Sequence, residues 1–230
     1  MVPSLVASTI AYTVFALFFG WQPLFTMPHF AFDNAWKLFP YLILAIVVAP
    51  GSKFYVIVFR QSEMFWRSSK LPAWSRPCAG GLITGVIGFF IPQVLGSGYG
   101  WAQQALNLSS PVGDNPVTIT VATLLLCFFG KVIATSCTVG SGGSGGLFGP
   151  ALVSGALLGA ACGLVMAKLF PTMGIFPGSF AMVGMAGFLA SAIRVPIAAI
   201  IMVSEITGNH ELLLPTMWVC GIAYLIGYGK

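Results

Sequence analysis

Charge is what this sequence has least of. Lys, Arg, Asp and Glu together make up 7% of its 230 residues, against about 25% in an ordinary soluble domain. With 57% hydrophobic residues and a mean hydropathy of +0.94, that scarcity excludes a water-solvated globule and requires an integral membrane protein. Acids are rarer still, five against ten Lys and Arg, for a formal charge of +5. The basic excess forms no stripe with interleaved aromatics, which excludes nucleic-acid recognition and leaves cytoplasmic anchoring as its role. The five cysteines, Cys78, Cys127, Cys137, Cys162 and Cys220, are odd in number and mostly set in apolar runs without metal-ligand spacing. They are expected as reduced, buried thiols, forming neither a disulfide frame nor a metal site. The glycine-rich run at residues 140–146 lacks the lysine of a phosphate loop, and no dinucleotide fingerprint occurs. Neither an enzyme nor a cofactor is implied. Residues 1–20 are apolar but carry no basic n-region and no small-residue cleavage site, so no cleavable signal is expected.

What is present centres on one stretch, Gly140-Ser141-Gly142-Gly143-Ser144-Gly145-Gly146-Leu147-Phe148-Gly149-Pro150. It lies between strongly apolar runs at 117–134 and 151–166. A helix starting near Leu147 leaves its first N–H groups without intrahelical partners, at the positive end of the helix dipole. Pro150 fits such a start, because an early helical residue needs no N–H donor. Bare amides at a helix start, held at membrane depth, make an anion site without a cation.

Around this stretch the apolar segments read as helices. Residues 4–19 form a first one, short for the roughly 20 residues a span needs. An aromatic- and proline-rich loop at 21–34, with His29 and Asp33, reads as an interfacial belt. A long helical pattern over 36–67 is expected to kink or break at Pro50-Gly51. Its second half turns basic through Lys53, Arg60 and Arg67, followed by Lys70 and Arg76, which places that end in the cytoplasm. Residues 72–95 form the next span, with Gly80, Gly81, Gly85 and Gly88 for close helix approach. A polar connection at 96–115 lies outside by parity and holds a short helix at 101–108. Residues 117–137 run inward, with Lys131 near the inner end, positioned to snorkel. Residues 147–170 repeat small residues at Gly155, Gly159 and Gly163, a spacing for tight packing. Segments 176–193 and 195–207, joined at Arg194-Val195-Pro196, are each too short to span comfortably, and a last helix covers 211–227. Short, interrupted segments are what transporters use to bring helix ends to the midplane.

Two motifs in this order resemble the CLC family of chloride channels and chloride/proton antiporters. Gly145-Gly146-Leu147-Phe148-Gly149-Pro150 is similar to that family's G-x-F-x-P anion motif. The run from Gly184 through Arg194-Val195-Pro196 to Ser204-Glu205-Ile206-Thr207 resembles its paired helices leading to the dimer-forming end. The resemblance covers roughly residues 1–228. It implies an all-α, polytopic membrane protein, half of an inverted-repeat architecture with short, broken and tilted helices. Residues 1–230 then form one transmembrane domain, the second repeat with part of the preceding helix. The first repeat's anion-coordinating serine, gating glutamate and internal proton-pathway glutamate have no counterpart here, nor does the final helix with its tyrosine. The chain is accordingly expected to be a fragment or a separately encoded half. The implied partners are chloride, protons, the lipid bilayer, a second copy through the C-terminal helices, and a first-repeat half. The implied place is the plasma (inner) membrane, multi-pass.

By the same resemblance, the amides of Leu147 and Phe148 face a dehydrated chloride. Gly145, Gly146 and Gly149 allow close backbone approach, Pro150 marks the helix start, and Phe148 lines the vestibule. Partial charges stabilise a halide yet let it leave, whereas a fixed cation holds it more tightly. Glu205, an acid within an apolar segment, has two readings: a structural acceptor of backbone or hydroxyl hydrogen bonds, or a proton carrier. Arg194 is read as satisfying C-terminal carbonyls at its helix junction. Two other functions compete. One is an intramembrane serine protease, with Ser144 as nucleophile and His210 as base. The other is a non-conducting half that assembles or regulates.

Overall fold

The computed structural model describes residues 2–21, 23–28, 36, 38–108 and 119–228. His29, Asp33 and the expected start of the inward span at residue 117 lie outside the described residues. Nine α-helices and two short 3-10 turns, with no strand among the described residues, make the chain all-helical. In order they are α1 Val2–Phe19, α2 Leu38–Ser68, α3 Arg76–Phe90, α4 Tyr99–Leu106 and α5 Val121–Gly140. There follow α6 Phe148–Leu169, α7 Pro177–Ile193, α8 Pro196–Thr207 and α9 Leu213–Tyr228. Three of them, α2, α5 and α6, are long and apolar enough to cross a membrane by length and composition.

Prolines and small polar residues set the boundaries. Pro177 and Pro196 stand in the first turns of α7 and α8, where the missing N–H costs nothing. A capping box between Thr120 and Thr123 opens α5, satisfying two otherwise orphaned donors. Gly208, with φ 63°, closes α8, a left-handed cap that glycine adopts without strain. The span expected from residue 72 instead begins at Arg76. Residues 72–75 are tied up as a turn, with Ser75 N–H donating to the Pro72 carbonyl and Arg76 Nε to that of Leu71. It stops at Phe90, just before Pro92, because the residue preceding a proline is pushed out of helical geometry.

No break occurs at Pro50, since α2 runs uninterrupted for 31 residues. Gly51 explains how. A Cβ there would come within 2.6 Å of Leu158 Cδ2, with Phe188 and Phe128 close behind. Tight packing around the lost hydrogen bond keeps the helix whole, as in other membrane helices with an interior proline.

The core is α6 packed on α7. Of α6's apolar window 89% is buried inside the chain, so α6 meets protein rather than lipid on nearly every face. Gly155 lies against the backbone of Gly184 and Met185, Gly159 against the Phe180 carbonyl, and Gly163 against Pro177 and Phe180. The two helices therefore run antiparallel, with backbones in contact. On the other side, Tyr41 shares a hydrogen bond with Ser179 (2.8 Å), and Ser52 donates to Ser191 (2.6 Å). Gly187 packs on Val219, and Gly227 on Ser191. These pairs order α2, α7 and α9 as parallel neighbours. Of the α3 glycines only two pack: Gly80 against α5 and Gly88 against Leu95, whereas Gly81 and Gly85 face open space.

Two substitutions test this packing. Gly159→Val must push α6 off α7 and should destabilise by about 3 kcal/mol, read as a lower unfolding midpoint in detergent. Gly85→Ala touches nothing and should stabilise by about 0.5–1 kcal/mol.

Candidate functional site

The turn between α5 and α6 treats its two helix ends differently. Three of the carbonyls closing α5 are satisfied. Ser141 N–H donates to Cys137 O (3.3 Å), Gly142 N–H to Val139 O (3.0 Å), and Gly143 N–H to Thr138 O (3.2 Å). The Ser141 hydroxyl adds a bond to Thr138 O at 2.9 Å. Gly142 adopts φ 95° to make the reversal, and a side chain at Gly143 would run into the Thr138 carbonyl at 2.6 Å. Both positions therefore demand glycine.

Past that point the donors go unmatched. Among the described residues, none of the amides of Gly145, Gly146, Leu147, Phe148 and Gly149 has a protein acceptor. The first helical bond of α6 is Ala151 N–H to Leu147 O, 3.1 Å. No side chain caps this end, where Leu147 is the N-cap and Pro150 the third helical residue. Gly145 and Gly146 are exposed, and residues 147–150 are half-buried. The start of a 22-residue helix thus presents free amides at its positive end.

Its depth follows from α2. The Tyr55 hydroxyl donates to the Leu147 carbonyl at 3.2 Å. Tyr55 stands about 26 Å along the helix from Leu38 and about 20 Å from Ser68, at 1.5 Å per residue. The α6 start therefore lies level with the middle of a helix about 46 Å long, more than the roughly 30 Å hydrocarbon core.

Three further side chains hold this region, and a one-dimensional pattern does not reveal them. Tyr55 anchors the N-cap carbonyl. Tyr99, first residue of α4, brings its hydroxyl to Gly149, where a Cβ would lie 3.2 Å from Tyr99 Oη. Its ring packs edge-on against Phe25, with centroids 5.6 Å apart. Lys131 corrects an expectation. It does not snorkel, being 3% exposed and standing in the middle of α5. From there its stem cannot reach an interface. Instead Nζ donates to the carbonyls of Val94 (2.9 Å) and Gly96 (2.5 Å), clamping the connection that leads into α4. Beside it a cavity of about 250 Å³ is lined by Thr84, Lys131, Thr135, Thr138 and Pro150.

The other sequence candidates lie elsewhere. Phe148 is half-buried and packs on the core. Arg194 is the left-handed C-cap of α7 (φ 64°), the one non-glycine residue with positive φ among those described. It lines a cavity of about 410 Å³ with Ser52, Lys53, Arg60 and Ser191. Glu205 borders a groove with Tyr12, Phe15 and Phe19. Its neighbours' hydroxyls are committed to their own helix, Ser204 to Ile200 O and Thr207 to Val203 O. Ser144 sits exposed in the turn, and His210 is exposed beyond the C-terminal end of α8. That helix is about 18 Å long, and its first residue follows two after the Arg194 junction. No hydrogen bond joins Ser144 to His210, and the serine-base pair of a protease is not assembled.

A family profile described as voltage gated chloride channel matches residues 1–228. A ClcB-like protein of Ralstonia nicotianae is 32% identical over 226 residues, 98% of this chain and 51% of the relative. The H(+)/Cl(-) exchange transporter ClcA of Salmonella agona is 32% identical over 212 residues, 90% of this chain and 43% of the relative. The ClcA of Yersinia pestis (strain Angola) is 35% identical over 193 residues, 82% and 38% respectively. The chain thus spans about half the length of the curated relatives it matches. In fold it is similar to a slow cyanobacterial Cl-/H+ antiporter (TM-score 0.75, 22% identity, 95% of this chain and 50% of that one). It is also similar to a CLC-type fluoride/proton antiporter (TM-score 0.71, 20% identity, 92% and 49%).

The clamp on the connection into α4 is open to test. Lys131→Met leaves two inward-facing carbonyls without their donor and should cost about 1–3 kcal/mol. Faster amide hydrogen exchange at residues 96–99, with α6 and α7 still protected, is the expected signature.

Proposed function

The chain belongs to the voltage-gated chloride channel family, and on that premise we propose that it carries anions across a membrane as one half of a CLC-type pathway. The anion is held by backbone N–H groups of Gly145, Gly146, Leu147, Phe148 and Gly149, with Pro150 fixing the helix start. One observation carries this: five successive amides without a protein acceptor, level with the middle of α2. In a setting poor in water, unpaired donors are costly, and a dehydrated halide is the ligand that satisfies several at once. Because each amide contributes only a partial charge, the halide is bound and also released.

Chloride is the substrate that suits this reading, and the named exchangers among the relatives support coupling to protons. Residues 1–230 act as a single transmembrane domain, the second of two inverted repeats, and a first-repeat half completes the pathway. Arg194 with Lys53 and Arg60 raises the local positive potential on the basic, cytoplasmic side. Glu205 stands apart from the anion site, in a structural role. Ile197, Ile201, Leu214, Met217, Trp218 and Leu225 are exposed on α8 and α9. This apolar face supports a homodimer formed through these helices, in the plasma membrane.

Leu147→Pro removes one amide without changing charge, at a φ of −86° close to what proline accepts. It should weaken chloride binding at least tenfold, since hydrogen bonds to charged groups are worth about 1.5–3 kcal/mol. Titration calorimetry of chloride against gluconate reads this. In liposomes, chloride efflux should require the first-repeat half, and efflux from this chain alone would refute the half-pathway assignment.

A further inference from the structure

The Tyr99 hydroxyl stands at the α6 start without a protein partner among the described residues. Every other feature of Tyr99 is fixed. Its ring is held edge-on by Phe25. Its helix begins after Gly98, whose φ of 79° turns the chain inward. The connection before it is tied to α5 through the two Lys131 bonds. Gly98 itself packs on Val153 of α6 and on the Lys131 head group. The hydroxyl is thereby delivered to Gly149, and only the missing side chain of Gly149 makes room for it. A Cβ there would sit 3.2 Å from the oxygen, tighter than ordinary van der Waals contact.

In a helix, the Cα–Cβ bond leans toward the N-terminus. An atom occupying the space where Gly149 lacks a Cβ therefore lies on the flank of the first turn, on the side from which the free amides of residues 147–149 are reached. A phenol O–H both donates and accepts. With no protein acceptor for its proton, it can turn that proton toward a halide on those amides. We propose that Tyr99 is an anion-contacting residue, an outer side-chain donor supplied by α4, and that Gly149 is the glycine that admits it. This rests on the anion reading of the α6 start. It concerns a different element from the final-helix tyrosine that the family resemblance assigns. A fixed hydroxyl donor interacts most strongly with a compact ion, because the attraction falls with distance between charges. Tyr99 should therefore favour chloride over iodide.

A double-mutant cycle on the 230-residue chain tests this, with chloride and iodide titrated against gluconate. Tyr99→Phe keeps the ring on Phe25 and removes only the hydroxyl. It should raise the chloride Kd about tenfold or more, raise the iodide Kd less, and leave the unfolding midpoint unchanged. Gly149→Ala should displace the hydroxyl and produce the same loss, and the double variant should lose no more than either single. Independent, additive losses would overturn the pairing of hydroxyl and glycine. A lowered midpoint with equal losses for both halides would assign the hydroxyl to packing and refute the proposal. An unchanged chloride Kd in Tyr99→Phe, beside a weakened Leu147→Pro, would refute Tyr99 alone. Chloride binding that is absent, or insensitive to Leu147→Pro, would instead refute the anion reading beneath it.

Discussion

Residues 141–147 separate the last turn of α5 from the first turn of α6, and within them the peptide hydrogen-bond requirement is met on one side only. The outgoing carbonyls of Cys137, Thr138 and Val139 are closed by the three amides that follow α5, while the incoming amides of α6 are left open. Away from bulk water, each such orphan costs several kcal/mol. A chain could avoid that with a serine or aspartate cap, and this one has Leu147 at the cap position. The donor surplus persists because the surrounding structure fixes it: Tyr55 holds the Leu147 carbonyl, and α6 is enclosed by protein almost throughout. Donors held in place in this way need no reorganisation when an anion arrives.

One full charge, Lys131, shares a cavity with Pro150 at that point. Lys131 lies on the neighbouring helix, but its head group is committed to two carbonyls of the connection into α4. Lys53, Arg60 and Arg194 gather instead around a separate cavity between α2 and the ends of α7 and α9. On the proposed reading this arrangement separates attraction from binding: cations would shape the approach of an anion, and neutral dipoles would hold it. A lysine facing the free amides directly would bind a halide more tightly and release it more slowly.

Much of the architecture was legible before any coordinates. The glycine-rich turn, the helix start at Pro150 and the Gly155, Gly159 and Gly163 spacing are local signals, and local sequence carries them. Helix ends shifted by a few residues where a capping box or a preceding turn decides them, as at Thr120 and at residues 72–75. What stayed hidden was pairing across long separations. Tyr55 meets Leu147 across 92 residues and Lys131 meets Gly96 across 35, so no window along the chain shows either. Lys131 was misjudged because snorkelling presumes a helix end, and the described α5 places it mid-helix. Of the kink or break expected at Pro50, the break does not occur, because the contacts of Gly51 with α6 and α7 outweigh the propensity for one.

The glycine contacts between α6 and α7 have a mechanical consequence. Backbones in direct contact leave no side-chain layer to act as a lubricant, so neither helix slides along the other without collision. The pair behaves as a stator. Any cycle of opening and closing must be carried by parts that move past this block, such as the turn ahead of it or the elements hinged beside it. The amides at its tip are fixed in place by that block.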